Sequence, residues 1–181
     1  MNTALIEVSP LDIPVLETPR LILRGHRLDD FAGCAALWAD PLVTRYITGK
    51  PSTPEESWAR LLRYVGHWAL SGYGFWVIEE KETGAYIGEA GFADFKRQME
   101  PSLGDTPEIG WVLAGAAHGK GYATEAVREV VAWGDAQWGP RATVCIVAPE
   151  NLASIHVARK CGYRERERGT YKGEPTIIFD R

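Results

Sequence analysis

Cysteine is scarce in this chain, and no repeat, apolar run or excess of one charge dominates it. Cys34, Cys145 and Cys161 are odd in number, far apart and never in a C-x-x-C pair. That pattern excludes a disulfide framework and a thiolate metal site, and reads as three reduced core thiols of a cytoplasmic protein. His26, His67 and His156 have no ligand spacing with one another or with carboxylates, so no metal is expected. No apolar stretch approaches the roughly 18 residues that cross a bilayer. Glu7, Asp12 and Glu17 precede the first arginine, which argues against a signal peptide. A net charge of −4 over 181 residues offers no field for nucleic acid or an anionic membrane, and mildly suits a cationic substrate. Without linkers or low-complexity tracts, a single domain is expected at 18–181, behind an arm at 1–17 that carries Pro10 and Pro14.

The stretch with most to say is Pro107 to Ala126, PEIGWVLAGAAHGKGYATEA. It reads as a strand through Ile109, Trp111, Val112 and Leu113, then a small-residue loop, then a helix opening at or just after Gly121. Ala123, Val127, Val130, Val131, Gly134 and Trp138 follow the period of one helix face. Gly119 and Gly121 remove side chains that would keep a ligand from the backbone. The first N–H groups of a helix lack internal partners and carry partial positive charge, so glycine, small residue and helix start together suit a phosphate. A Walker loop does not fit. Gly115 lies one residue too close to Gly119-Lys120, and Gly121 stands where Ser or Thr is required. A dinucleotide fingerprint fails too, with Thr124 in its third small position and its acid, Glu150, too late.

Around this centre, Arg20 to Arg27 reads as a strand. Asp29 caps a helix with Phe31, Cys34, Ala35 and Trp38 on its apolar face, ended at Asp40-Pro41. Thr53-Pro54-Glu55-Glu56 is a capping box, and the helix behind it is expected to bury Trp58, Leu61, Leu62, Val65, Trp68 and Ala69. Gly74–Glu80 and Tyr86–Phe95 form a hairpin about Lys81 to Gly84. Lys96–Thr106 is polar and long for a connection, either a solvated loop or a rim of the substrate cleft. Ala142–Ala148 is a central strand. Asn151–Cys161 is a short helix with Gly162 at C′, and two strands, Tyr163–Arg168 and Thr176–Phe179, end the chain. The fold class is α/β, with a mixed sheet.

EIGWVL, HGKGYATEA and NLASIHVARKCGY together resemble the GNAT superfamily of acetyl-CoA-dependent N-acetyltransferases, and within it the RimJ/RimL type, which acetylates protein N-termini. The likeness is diffuse from Leu16 to Asp180 and sharp between Glu108 and Tyr163. It implies a single domain with a mixed, mostly antiparallel sheet of six to seven strands and about four helices. Two departures stand out. Ala116 replaces the Arg/Gln that opens the superfamily's loop pattern, and Ala158 replaces a tyrosine that many members use to protonate the leaving thiolate.

The resemblance assigns acetyl-CoA as co-substrate, with no metal. His118, Gly119, Lys120, Gly121, Tyr122, Ala123 and Thr124 then offer backbone N–H groups to its pyrophosphate, and Lys120 adds a charge or is merely solvated. The backbone of Trp111, Val112 and Leu113 pairs with the pantetheine arm and directs an N–H at the thioester oxygen. Asn151 contacts the same arm or caps its helix, or does both. Ser154, on the same helix face, lies near the sulfur and either it, a water or no acid at all serves the thiolate. Lys160 reaches a CoA phosphate or ends a solvated helix. Glu108 is the candidate general base, against the alternative of an edge carboxylate in solvent. The acceptor is an amine: a protein N-terminus by likeness, alternatively a small amine such as a polyamine, amino acid or aminoglycoside. A non-catalytic CoA-binding module is the reading from another class. A homodimer is expected from family habit only.

Overall fold

The computed structural model describes residues 11–181. Its strands form one sheet in the order β1-β2-β3-β4-β6-β7-β9-β8-β5. They are β1 (Leu16–Glu17), β2 (Leu21–Arg24), β3 (Phe75–Glu80), β4 (Tyr86–Ala93), β5 (Met99–Glu100), β6 (Glu108–Leu113), β7 (Val144–Val147), β8 (Arg164–Tyr171) and β9 (Glu174–Asp180). The helices are α1 (Phe31–Ala39), α2 (Pro41–Thr44), α3 (Pro54–Ser71), α4 (Tyr122–Trp138) and α5 (Leu152–Lys160). All neighbouring strands are antiparallel except β6 and β7. The class is the expected one. The nine strands exceed the expected six to seven because β1 and β5 have two residues each, too few to leave a periodic signal.

Local chemistry sets the helix boundaries. Thr53 and Glu56 close the capping box of α3, with Pro54 at its first position. Asp40 ends α1 and caps α2 through Leu42 N at 2.8 Å. Asp29 does not cap α1. The residue before that helix is Asp30, whose carboxylate turns back to Arg24 and to the Arg27 N–H. The buried face of α3 is the expected one in part: Leu61 and Trp68 point inward and Val65 packs on the core, but Ser57 and Tyr64 join them while Trp58, Leu62 and Ala69 are exposed. The apolar stripe of this helix is broad and the core takes one side of it, a choice that the period alone does not make.

One face of the sheet packs on α4 and α5 through Phe92, Ile109, Val127, Val130 and Ile155. The other packs on α1 and α3 through Cys34, Leu37, Trp38, Leu61 and Val112. The three cysteines are buried and unpaired. Of the expected arm, residues 1–10 lie outside the described residues. Further on, Ile13 packs on the core, Leu16–Glu17 pairs with β2, and Pro14 O accepts from Trp76 Nε1 at 2.8 Å.

The polar stretch 96–106 departs most from expectation. It leaves β4, crosses to the far edge of the sheet, pairs Met99–Glu100 with Thr170–Tyr171 of β8, and returns to start β6. It is a strap over one end of the sheet.

Candidate active site

Strands β6 and β7 are joined at one register position only, Glu108 with Val144, where Val144 N donates to Pro107 O. Beyond it β6 stays paired with β4 as far as Leu113, while β7 pairs with β9. The two parallel strands therefore diverge toward their carboxyl ends, where ligands bind in open α/β sheets. Ala114 N donates to Ile87 O on β4. By the two-residue period of a strand, Val112 presents its backbone to β4 as well, and Trp111 and Leu113 present theirs to the opening. Of the three residues expected to pair with a pantetheine arm, Trp111 and Leu113 thus face the cleft and Val112 does not. The Leu113 oxygen already accepts from His118 Nε2 at 2.9 Å, which ties the following loop to the strand end.

That loop runs into α4. His118 N donates to Gly115 O, so it is not a free donor, contrary to expectation. From Gly119 to Thr124, however, none of the six successive backbone N–H groups has an acceptor among the described residues. Gly119 and Gly121 take φ of 75° and 82°, the left-handed region where side chains are strained. Gly121 is the N-cap of α4 and offers no side chain to its first turn. The loop is a row of bare donors at the positive end of a 17-residue helix.

Asn151 and Ser154 follow β7 and so stand across the opening from the end of β6. Asn151 Oδ1 accepts from Ser154 N at 3.1 Å, which makes it the N-cap of α5 and leaves its amide N–H groups for another partner. The other end of α5 rests on the start of α4: Lys160 O accepts from Arg128, and Cys161 Sγ lies 3.8 Å from Thr124 O. Burial pushes the Cys161 thiol up to about 11, so it is not a thiolate. Ala158 is fully buried, and no side chain from that position enters the cleft. Tyr163 is buried as well, its hydroxyl 2.7 Å from Thr143 Oγ1, and burial raises its ionisation well beyond the ordinary phenol value.

Glu108 sits at the apex of the opening but is not an edge carboxylate in solvent. It is buried, and Arg97 from the strap holds both its oxygens, Nη2 to Oε1 at 2.7 Å and Nε to Oε2. Burial raises the Glu108 carboxyl above its usual range, and the Arg97 charge works against that rise. Arg97 itself lies between the rings of Phe95 and Tyr171, 4.6 and 4.7 Å from their centroids. A cavity of about 250 Å³ opens here, lined by Phe95, Arg97, Leu103, Asp105 and Glu108 among others. Among the described residues no cluster of His, Cys, Asp or Glu could hold a metal ion. No helix among them is long and apolar enough to cross a membrane.

A strand pair splayed about a bare helix start offers an extended, anionic ligand both an edge to pair with and donors for its charge, and the comparisons name the class. Residues 20–164 match the acetyltransferase (GNAT) domain, so the chain belongs to the GNAT family and is an N-acetyltransferase. That family uses acetyl-CoA as acetyl donor. The uncharacterized N-acetyltransferase p20 of Bacillus licheniformis is 30% identical over 152 residues, covering 83% of this chain and 82% of p20. A GNAT-family acetyltransferase structure from Bordetella pertussis superposes with a TM-score of 0.83 at 28% identity, covering 93% of this chain and 99% of that one. RimL, described as the ribosomal L7/L12 α-N-protein acetyltransferase in complex with coenzyme A, shares the fold at 16% identity. Its TM-score is 0.75, over 93% of this chain and 97% of RimL.

Proposed function

We propose that this chain transfers acetyl from acetyl-CoA to a primary amine, the α-amine of a protein or peptide, by direct attack in a ternary complex. The run of six unpartnered N–H groups from Gly119 to Thr124 carries the reading, because it offers donors to an anion and no acceptor among the described residues uses them. The pantetheine arm takes the outward-facing backbone of Trp111 and the Leu113 N–H as an added strand, since the Leu113 oxygen is held by His118, and the Asn151 amide and Ser154 flank it. This directs the thioester to the apex, beside Glu108 and the 250 Å³ cavity under the strap. RimL, which shares the fold, acts on a protein α-amine according to its description.

Glu108 is the candidate base, working through a water, and the Arg97 pair has to yield one oxygen for it to do so. An α-amine suits such a guarded base. Its pKa near 8 leaves about a tenth of it neutral at pH 7, whereas a lysine at about 10.4 is neutral to less than about one part in a thousand and needs far more help. Positioning contributes roughly 7–11 kcal/mol to such a reaction, more than a base does. With Ala158 buried and Tyr163 turned to Thr143, the Ser154 hydroxyl or a water protonates the thiolate.

The test is thiol release from acetyl-CoA across a panel of N-terminal peptides and small amines. Turnover on peptides supports the reading, and turnover on small amines alone corrects the acceptor. Thermal stabilisation by CoA with no turnover on any amine leaves a binding module. No calorimetric heat with CoA removes the reading.

A further inference from the structure

We propose that Arg20, on the approach to β2, is the positioning residue of the cofactor loop: it orients the Lys120–Gly121 peptide so that its N–H can meet a phosphate. The inference rests on the acetyl-CoA reading above.

Arg20 reaches across 100 residues of sequence and uses its guanidinium on three sides. Nη1 donates to Lys120 O at 2.9 Å, and Nε and Nη2 hold Glu125 Oε2 at 2.7 and 2.6 Å. Its face lies 4.4 Å from the Tyr122 ring centroid, and the Tyr122 hydroxyl is held in turn by Glu80 of β3. The other Glu125 oxygen accepts from Thr18 Oγ1 at 2.6 Å and Arg20 N at 2.9 Å. One short segment, Thr18-Pro19-Arg20, thus occupies both oxygens of the acid in α4's first turn and one carbonyl of the loop before it.

Two consequences follow from elementary geometry. In a trans peptide the carbonyl and the next N–H point opposite ways, so drawing Lys120 O toward Arg20 turns the Gly121 N–H away from it, where it has no acceptor among the described residues. Gly121 is also the residue at φ 82°, a conformation with no side chain to hold it, so an outside tether has to select the peptide's direction. Glu125, meanwhile, would oppose an incoming phosphate if left bare. With four donors on it, its charge is spent inside the fold. Arg20 therefore acts by direction rather than by adding a cation, because its own charge is matched by Glu125.

Direction and charge make different demands on a substitute. Lysine keeps the charge but lacks the planar fork that satisfies Glu125 and Lys120 O together. The experiment is calorimetric titration of CoA into wild type, Arg20→Ala and Arg20→Lys, with the Gly121 amide proton followed by NMR and unfolding followed without ligand. We expect both variants to bind CoA at least about tenfold more weakly, the loss of a charged hydrogen bond. In both, the downfield shift of the Gly121 amide on adding CoA is lost. In Arg20→Lys this occurs with the cooperative melt retained. Wild-type affinity in Arg20→Lys, or a Gly121 shift that survives in it, overturns the proposal while leaving the acetyltransferase reading intact. A wild type that does not bind CoA overturns both.

Discussion

Arg97 grips Glu108 with two nitrogens, and this one ion pair joins the strap to the apex of the cleft. The carboxylate belongs to the first residue of β6, and the guanidinium to a segment that travels on to pair with β8. A candidate base and a piece of tertiary scaffolding are the same side chain.

Removing either partner separates the two roles. Glu108→Gln leaves a half-buried guanidinium poorly satisfied, at a cost of up to about 3 kcal/mol, or a Tm loss of about 5–10 °C. It also slows acetyl transfer substantially without abolishing it, within the 10²–10⁴-fold typical of a base. Arg97→Ala takes away the charge that opposes the rise of the Glu108 carboxyl, so the acid limb of kcat/KM moves to higher pH. A pH–rate profile on the accepted amine checks this. An acid limb that stays in place in Arg97→Ala, or an unchanged rate in Glu108→Gln, takes Glu108 out of the chemistry.

Glu125 links the cofactor loop to acid stability. Burial pushes its carboxyl up, but hydrogen bonds from Thr18 and Arg20 more than offset this and hold it below its ordinary value of 4.5. A lowered carboxyl stabilises the fold above the unfolded value and loses that contribution as pH falls through the folded one. Wild type should therefore melt higher than Glu125→Gln at pH 7, with the gap closing below about pH 4.5. Melts of both proteins from pH 7 to pH 3 decide it. A gap that persists at low pH contradicts the assignment.

Asn151 can be divided atom by atom. Its oxygen caps α5, and its amide N–H groups are the part offered to the pantetheine arm. Asparagine and aspartate cap equally well, so Asn151→Asp should keep the wild-type Tm and still bind CoA more weakly. Asn151→Ala should lose both, with about 1 kcal/mol of stability gone. Thermal melts and CoA titrations of the two variants test the division. Wild-type affinity in Asn151→Asp reduces the residue to a cap.

Much of the site was legible because its physics is local. The Gly119 and Gly121 pair, the capping box at Thr53 and the Asn151 cap each depend on residues within four positions. Arg97 was hidden because the segment around it carries no periodicity, and its destination at β8 is a matter of topology. Thr18 and Arg20 escaped because nothing in their spacing points to Glu125, 105 residues away in the case of Arg20.

By itself the sequence determined the α/β class, the starts of α3, α4 and α5, and the bare glycine backbone at the mouth of α4, since propensity and capping are decided by near neighbours. Only the tertiary structure decided which side of α3 is buried, where residues 96–106 cross, and which way the Lys120–Gly121 peptide faces. Those depend on the direction from which distant elements pack, and a one-dimensional pattern of apolar and polar residues carries a period but not a direction.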